Sequence, residues 1–152
     1  MYSAGGPSEI GTYRNIKILR AGSKDINIDL YDYFTKGIFP SVGLRDQDVI
    51  FVPVIKKEVT TDIGFRTSKK FELKNDENLL DLINYSGGFL PGMNKDNILI
   101  KRVINNKTEF IDSNVDNSNI ISLEDGDFLS LRKPNEYIEN KVIVSGSIRN
   151  PG

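Results

Sequence analysis

Glu77-Asn78-Leu79-Leu80-Asp81-Leu82-Ile83-Asn84-Tyr85-Ser86-Gly87-Gly88 decides the fold. Leu79, Leu82 and Ile83 share one helical face, Asn75 or Asp76 stands ahead as a cap, and paired glycines close the helix. The end of this stretch recurs: residues 83–88 line up with Met1-Tyr2-Ser3-Ala4-Gly5-Gly6 at a spacing of 82. The same spacing carries Asn15-Ile16-Lys17-Ile18-Leu19-Arg20 onto Asn97-Ile98-Leu99-Ile100-Lys101-Arg102. Leu44-Arg45-Asp46-Gln47-Asp48 matches Leu123-Glu124-Asp125-Gly126-Asp127 at 79, and residues 59–69 match 142–152 at 83. The expected unit is about 80 residues long, one complete copy flanked by partial ones, as in a piece of a larger array.

Composition narrows the options. Hydrophobic residues make up 38% and charged residues 27% of the chain, which suits a folded soluble protein. Twenty Lys and Arg against 21 Asp and Glu leave a net charge of −1, with no long run of either sign. General attraction to nucleic acid or to a membrane surface is not expected. No apolar stretch approaches the ~20 residues that cross a bilayer, so membrane contact is expected only through parts outside this chain. A missing signal peptide carries no weight where the chain opens inside a unit. Cysteine and histidine are both absent, which removes disulfides, thiol nucleophiles and the commonest general base and metal ligand. Neither a metal nor a cofactor is expected, and an enzyme is not.

Along the chain, residues 14–20 and 25–30 alternate as half-buried strands around a turn at Ala21-Gly22-Ser23-Lys24. Leu30, Tyr33 and Phe34 follow at helical spacing, closed by Gly37. Val49-Ile50-Phe51-Val52 reads as a buried strand that Pro53 ends. In the complete unit, strands are expected over 59–65 and 69–73, then the helix, then a hairpin over 98–103 and 108–111 around Asn105-Asn106. A last strand covers 128–131 after the turn Asp125-Gly126-Asp127, and alternation over 142–148 opens the next unit. Two hairpins about one helix predict an α+β fold of tandem β-grasp modules, small mixed sheets each with one packed helix. Residues 1–55 would be the later part of a first unit, 56–135 a complete one, and 140–152 the first strand of a third.

Gly146-Ser147-Ile148-Arg149-Asn150-Pro151-Gly152, preceded by alternating Val142 and Val144, resembles the opening of SLBB domains. These are the soluble ligand-binding β-grasp modules of bacterial polysaccharide export proteins. The helix at 77–88 is similar to that family's E-x-x-L-x-D-L-I-x-x-A-G-G pattern. Gly11-Thr12-Tyr13-Arg14-Asn15-Ile16, Asp29-Leu30-Tyr31-Asp32-Tyr33 and the run from Leu44 to Pro53 resemble its large export-type members. One departure is plain: Ser68-Lys69 replaces the expected Pro-Gly, and Ile63 stands where Gly should, with Gly64 one place late. Loss of the tight turn predicts a looser hairpin and weakens the case for ligand contacts there.

Asp46/Asp48 and Asp125/Asp127 are spaced like some calcium ligands but lack the further acids such a loop requires. They also lack the setting of a glycosidase acid pair, and their recurrence predicts a shared structural job in turns. Gly5-Gly6 and Gly87-Gly88 read as helix ends with positive φ, not phosphate cradles, which belong at helix starts. Tyr13, Arg14 and Asn15 combine a flat ring with donors, the mixture that grips sugars, or else a strand edge packed on its own domain. Arg66 and Arg149 recur in the hairpin turns and could face an acidic glycan, or simply be solvated. Residues 56–74 read as an exposed, two-faced hairpin.

The resemblance implies a non-catalytic segment of a polysaccharide export protein, in the periplasm and outer membrane of a Gram-negative bacterium. Its partners would be a polysaccharide, neighbouring SLBB units and further copies in a ring-like conduit. The alternative is a stand-alone carbohydrate or small-ligand binding module, since SLBB domains also resemble parts of cobalamin-binding proteins. An exposed aromatic cluster around Tyr13, with measurable binding of a short glycan by the isolated monomer, would favour that alternative.

Overall fold

Alternating Ile16 and Ile18 lay down β1 (Ile16–Leu19) with both side chains buried. A turn at Gly22 returns the chain as β2 (Ile26–Ile28), antiparallel to β1 with Ile26 opposite Ile18. The computed structural model from which these elements are drawn describes residues 5–131. Asp29 caps α1 (Leu30–Lys36) by accepting the N–H of Tyr31, and Gly37 ends it in the left-handed conformation at φ 69°. β3 (Val49–Phe51) then pairs antiparallel with β1, giving a three-stranded sheet of order β2-β1-β3.

The second sheet has five strands in the order β5-β4-β8-β6-β7. β4 (Glu58–Thr61) and β5 (Lys70–Glu72) form one hairpin; β6 (Ile98–Ile104) and β7 (Lys107–Ser113) form another. Asn105 and Asn106 turn the latter, both at positive φ. β8 (Phe128–Leu131) slots between the hairpins, parallel to β4 and antiparallel to β6. α2 (Leu79–Tyr85) lays Leu79, Leu82 and Ile83 over a core of Val59, Phe65, Phe71, Ile98, Ile100, Leu129 and Leu131. The fold is α+β, with two small sheets.

Several expectations are corrected. α2 is capped by Asn78 and not by Asn75 or Asp76. The Asn78 side chain accepts the N–H groups of Leu80 and Asp81, while Asp81 accepts that of Asn78, a complete capping box. β3 is not a buried strand: Val49, Ile50 and Phe51 are 58%, 39% and 49% exposed, and among the described residues it pairs on one edge only. α1 has no fully buried residue, although Tyr31 packs against the main core and Leu30 lies half-buried beside Ile16 and Ile18. The 56–74 hairpin is one-faced, with Val59, Thr61 and Phe71 turned into the core. The strand expected within 140–152 lies outside the described residues.

The departure at the β4–β5 turn has a physical reason. Eight residues, 62–69, join the strands, held by Thr61 Oγ1 donating to the Thr67 carbonyl and Ser68 Oγ to the Asp62 carbonyl. Gly64 sits at φ 95°, and a Cβ there would stand 2.7 Å from Cβ of Leu131. The glycine is therefore required at 64, where β8 ends against the loop.

The two sheets repeat one another in detail. Ile18 faces Ile50 across β1 and β3 as Ile100 faces Leu129 across β6 and β8, at the spacings of 82 and 79 read from the sequence. Arg20 grips Asp48 through Nε at 2.8 Å and Nη2 at 2.7 Å; Arg102 grips Asp127 at the same two distances. Each arginine also reaches a carbonyl at 3.1 Å, Gly43 in one case and Ser122 in the other. Each aspartate accepts an N–H of its own turn at 2.8 Å, from Arg45 or Glu124. The Arg20 guanidinium and that N–H hold the Asp48 carboxyl down at about 2. Asp48 and Asp127 are thus turn-formers with a shared job. Asp125 serves the turn differently, accepting the N–H of Glu58 at 2.7 Å, and Asp46 stands exposed at the matching place. Gly126 in the second turn has φ 83°, whereas its counterpart Gln47 adopts φ 66° at the steric cost of a side chain.

Leu82→Ala is expected to lower the unfolding free energy by ~2–5 kcal/mol in urea titration. Gln47→Gly is expected to raise it by ~0.5–1 kcal/mol, the left-handed strain relieved less the entropy glycine adds to the unfolded chain.

Candidate functional site

Where the two sheets meet, one cation organises the surroundings. Arg14 precedes β1 and is only 7% exposed. Its Nε faces Asp29 at 3.3 Å, Nη1 donates to the Glu72 carbonyl at 3.2 Å and to Glu77 at 2.6 Å, and Nη2 to Asp29 at 3.1 Å and Glu77 at 2.7 Å. All five donors of the guanidinium are engaged. The Tyr31 ring lies 4.2 Å from its centre and the Tyr85 ring 5.1 Å, the two rings meeting edge to face. Tyr85 in turn donates its hydroxyl to Glu77 at 2.6 Å, and Tyr31 Oη accepts the N–H of Glu72 at 2.8 Å. Glu72 closes the knot, accepting the Thr12 hydroxyl and, at 2.9 Å, the N–H of Tyr13.

Local sequence explains why these groups converge. Asp29 is the cap of α1, Glu72 ends β5, and Glu77 sits just ahead of α2, accepting the N–H of Lys74 at 2.8 Å. Burial alone would raise the Asp29 and Glu77 carboxyls. The bonds from Arg14, with Lys74 at Asp29 and Tyr85 at Glu77, outweigh it and hold both below their ordinary values. Burial and the bond to Glu77 push the Tyr85 phenol up to about 12. The Arg14 guanidinium is raised: burial opposes its charge, but Asp29 and Glu77 prevail.

Two clefts open beside this knot. One, of about 490 Å³, carries the polar side chains of Asn15, Asn27, Asp29, Lys56, Lys74 and Asn75 together with Ile28, Val54 and Leu73. The other, of about 300 Å³, is lined by Tyr13, Phe34, Thr35, Lys69, Lys70 and Phe71. An exposed aromatic strip continues outward from it. Tyr13 and Phe34 lie 6.1 Å apart between ring centres, Phe34 and Tyr33 5.7 Å, and Tyr33 and Phe39 5.4 Å. Phe34 is 60% and Phe39 74% exposed.

Tyr13 and Asn15 are exposed, one at the aromatic cleft and the other at the polar one. Arg14, between them, has its donors taken by protein acceptors and joins the sheets together. Arg66 lines neither cleft; its Nε donates to the Phe89 carbonyl at 3.1 Å and its N–H to the Gly88 carbonyl at 2.9 Å, tying the hairpin loop to the end of α2. Gly87 and Gly88 sit there at φ 77° and 85°, and Gly5 and Gly6 share that conformation at 79° and 80°. Arg149 lies outside the described residues. The partners Asp29, Glu72 and Glu77 and the rings of Tyr33, Phe34 and Phe39 were not among the candidates. Their signal was present only as motif letters, Asp at the start of α1 and Glu ahead of α2, with nothing to pair them across the chain.

Among the described residues no cluster of three or more carboxylates could hold a metal ion, and no helix is long and apolar enough to cross a membrane. No protein-family model and no curated protein matches the chain.

Arg14→Ala is expected to cost ~3–5 kcal/mol, since it strands two largely buried carboxylates. Arg14→Lys should recover little, because three donors on one nitrogen cannot span both acids. Calorimetric melts measure both. The knot has a pH signature. Asp29 and Glu77 add stability above their ordinary values, 3.8 and 4.5, and that contribution disappears as pH falls through the lowered ones. The parent's melting temperature should therefore drop steeply below about pH 4, and the drop should be shallower in Arg14→Ala.

Proposed function

We propose that this chain is a non-catalytic segment of a polysaccharide export protein, built from tandem β-grasp modules of the SLBB kind. Residues 56–135 would form one complete module and residues 1–55 the later part of its predecessor. The observation that supports the modular reading best is the duplicated latch: Arg20 on Asp48 and Arg102 on Asp127, in the same register and with the same carbonyl contacts. On this reading the protein works by geometry. Rigid modules, locked by Arg14, form part of a ring-like wall in the periplasm and outer membrane of a Gram-negative cell, and polar side chains border a hydrated path for the polymer.

A second reading, a carbohydrate-binding module acting alone, is favoured by the aromatic strip. Rings of Tyr13, Phe34, Tyr33 and Phe39 offer flat apolar faces at the spacing of successive contacts, with the lysines of the neighbouring cleft alongside. Both readings share a polysaccharide partner and no chemistry performed on it.

Deletion of the protein from the bacterium that makes it tests the first reading: polymer should vanish from the cell surface and collect in the periplasm. Normal surface polymer would remove the export role. Glycan titration of the purified chain tests the second. Tyr13→Ala and Phe34→Ala should each weaken binding by about fivefold, near 1 kcal/mol for a lost aromatic face. Parent and Asp125→Asn should both leave a polysaccharide uncut over long incubation; cleavage by the parent alone would make the protein an enzyme.

A further inference from the structure

The smaller of the two clefts beside the Arg14 knot lies between walls that are both described. Tyr13 and α1 form one, Lys69 and the start of β5 the other. The walls are tied by a bond of the knot itself, Glu72 N–H to Tyr31 Oη at 2.8 Å. At about 300 Å³ the space is at the lower end of the range for small-ligand sites.

The lining is one-sided in charge. Two lysines contribute to it and no aspartate or glutamate does. The lysines are not equivalent. Lys70 Nζ is bound to Glu58 at 2.6 Å. Lys69 Nζ lies 5.0 Å from the centre of the Phe71 ring, a contact that steadies the side chain without neutralising it. Among the described residues no carboxylate pairs with Lys69. A sugar acid entering the larger cleft would meet Asp29 and Glu72 as well as lysines, and Lys74 there is already spent on Asp29.

Neutral hydrogen-bonding groups surround the unpaired cation. Tyr31 Oη accepts from Glu72, but among the described residues the phenolic proton has no acceptor. Burial raises this phenol above its ordinary value, so the proton stays in place at neutral pH. Thr35 donates its hydroxyl to the Tyr31 carbonyl at 2.6 Å and keeps its lone pairs. β5 is an edge strand among the described residues, and Thr60, opposite Lys70, gives its N–H to Asp127 ahead of β8. The backbone N–H and carbonyl of Lys70 therefore point away from β4, to the side where those of Glu72 meet Tyr31 and Arg14. Tyr13 and Phe34, 37% and 60% exposed, add ring faces 6.1 Å apart between centres.

We propose that this cleft binds an acidic sugar residue of a glycan, its carboxylate paired with Lys69 and its ring laid against Tyr13 and Phe34. Its hydroxyls bond Tyr31, Thr35 and the Lys70 backbone. One unpaired cation matches the single charge of a carboxylate, whereas a phosphate monoester carries nearly two. The neutral donors and acceptors match hydroxyl groups, which both give and accept. The preference presupposes that a glycan is bound, as the carbohydrate-binding reading holds, and narrows its chemistry to sugar acids.

Calorimetric titration of the full chain tests this with tetramers of galacturonate and of mannuronate, each beside the neutral tetramer made by reducing its carboxyls to alcohols. At least one acid tetramer should bind about tenfold tighter than its neutral form, the worth of one charge-assisted hydrogen bond. The Lys70 amide resonance should shift as it binds. Lys69→Gln should erase the preference and leave the melting curve and the weaker neutral binding as they were; Lys69→Arg should retain it. Lys24→Gln makes the same change of charge at an exposed turn outside the cleft and should also retain it. Equal affinity for acid and neutral tetramers would overturn the acid preference and leave glycan binding standing. Binding of none of the four would remove glycan binding and the preference with it. A preference that survives Lys69→Gln, or that Lys24→Gln erases as well, would lie outside this cleft and overturn the assignment.

Discussion

The Arg14 guanidinium is the constraint on which the arrangement of the two sheets depends. A lone arginine so little exposed would be unfavourable; here each N–H has an acceptor, and those acceptors come from three places in the chain. Asp29 holds it to α1, Glu72 to β5 and Glu77 to the start of α2. Two tyrosines shield the planar faces and leave water little access. The geometry needs a fork, since only a planar group with fixed donor directions serves two carboxylates and a carbonyl at once.

Within each sheet a different arginine does a more local job. Arg20 and Arg102 clip the turn preceding the last strand to the end of the first, leaving that strand correctly registered. Among the described residues, Arg102 secures a strand with neighbours on both sides, and Arg20 one with a neighbour on one side. The three-stranded sheet is therefore as well specified along β1 and β3 as the five-stranded one, yet far less covered. Its apolar residues are hidden only in part by α1 and the loop after it, which is why Ile16 is buried while Ile50 is 39% exposed.

Much of this was legible in the residues. Period-two alternation at Ile16/Ile18 and at Ile98/Ile100, the asparagine turn and the Leu79/Leu82/Ile83 face placed the strands and the buried helix, because each is a local rule acting over a few residues. Repetition of Asp48 and Asp127 also pointed correctly to turns. Burial was harder to read. Val49-Ile50-Phe51 has the composition of a core strand, but composition does not report whether a second strand is present to cover it. Arg14 looked like a binding residue beside Tyr13 and Asn15, since nothing nearby in sequence hints at acceptors 58 and 63 residues away. Asn78 was passed over as a cap because Asn75 and Asp76, equally suitable by type, come first.

That difference in separation shapes how the molecule comes together. The Arg–Asp latches close loops of 28 and 25 residues, whereas Arg14 closes one of 63 to reach Glu77. Loop closure costs about 0.6 kcal/mol more for each doubling of length, before any native contact repays it. The three-stranded sheet and the two hairpins of the five-stranded one can thus form early, from short-range encounters, whereas the pairing of β4 with β8 and the Arg14 junction both wait on long loop closures. Damage confined to the junction would then spare the halves and loosen only the angle between them, making Arg14 the axle of the molecule more than its foundation.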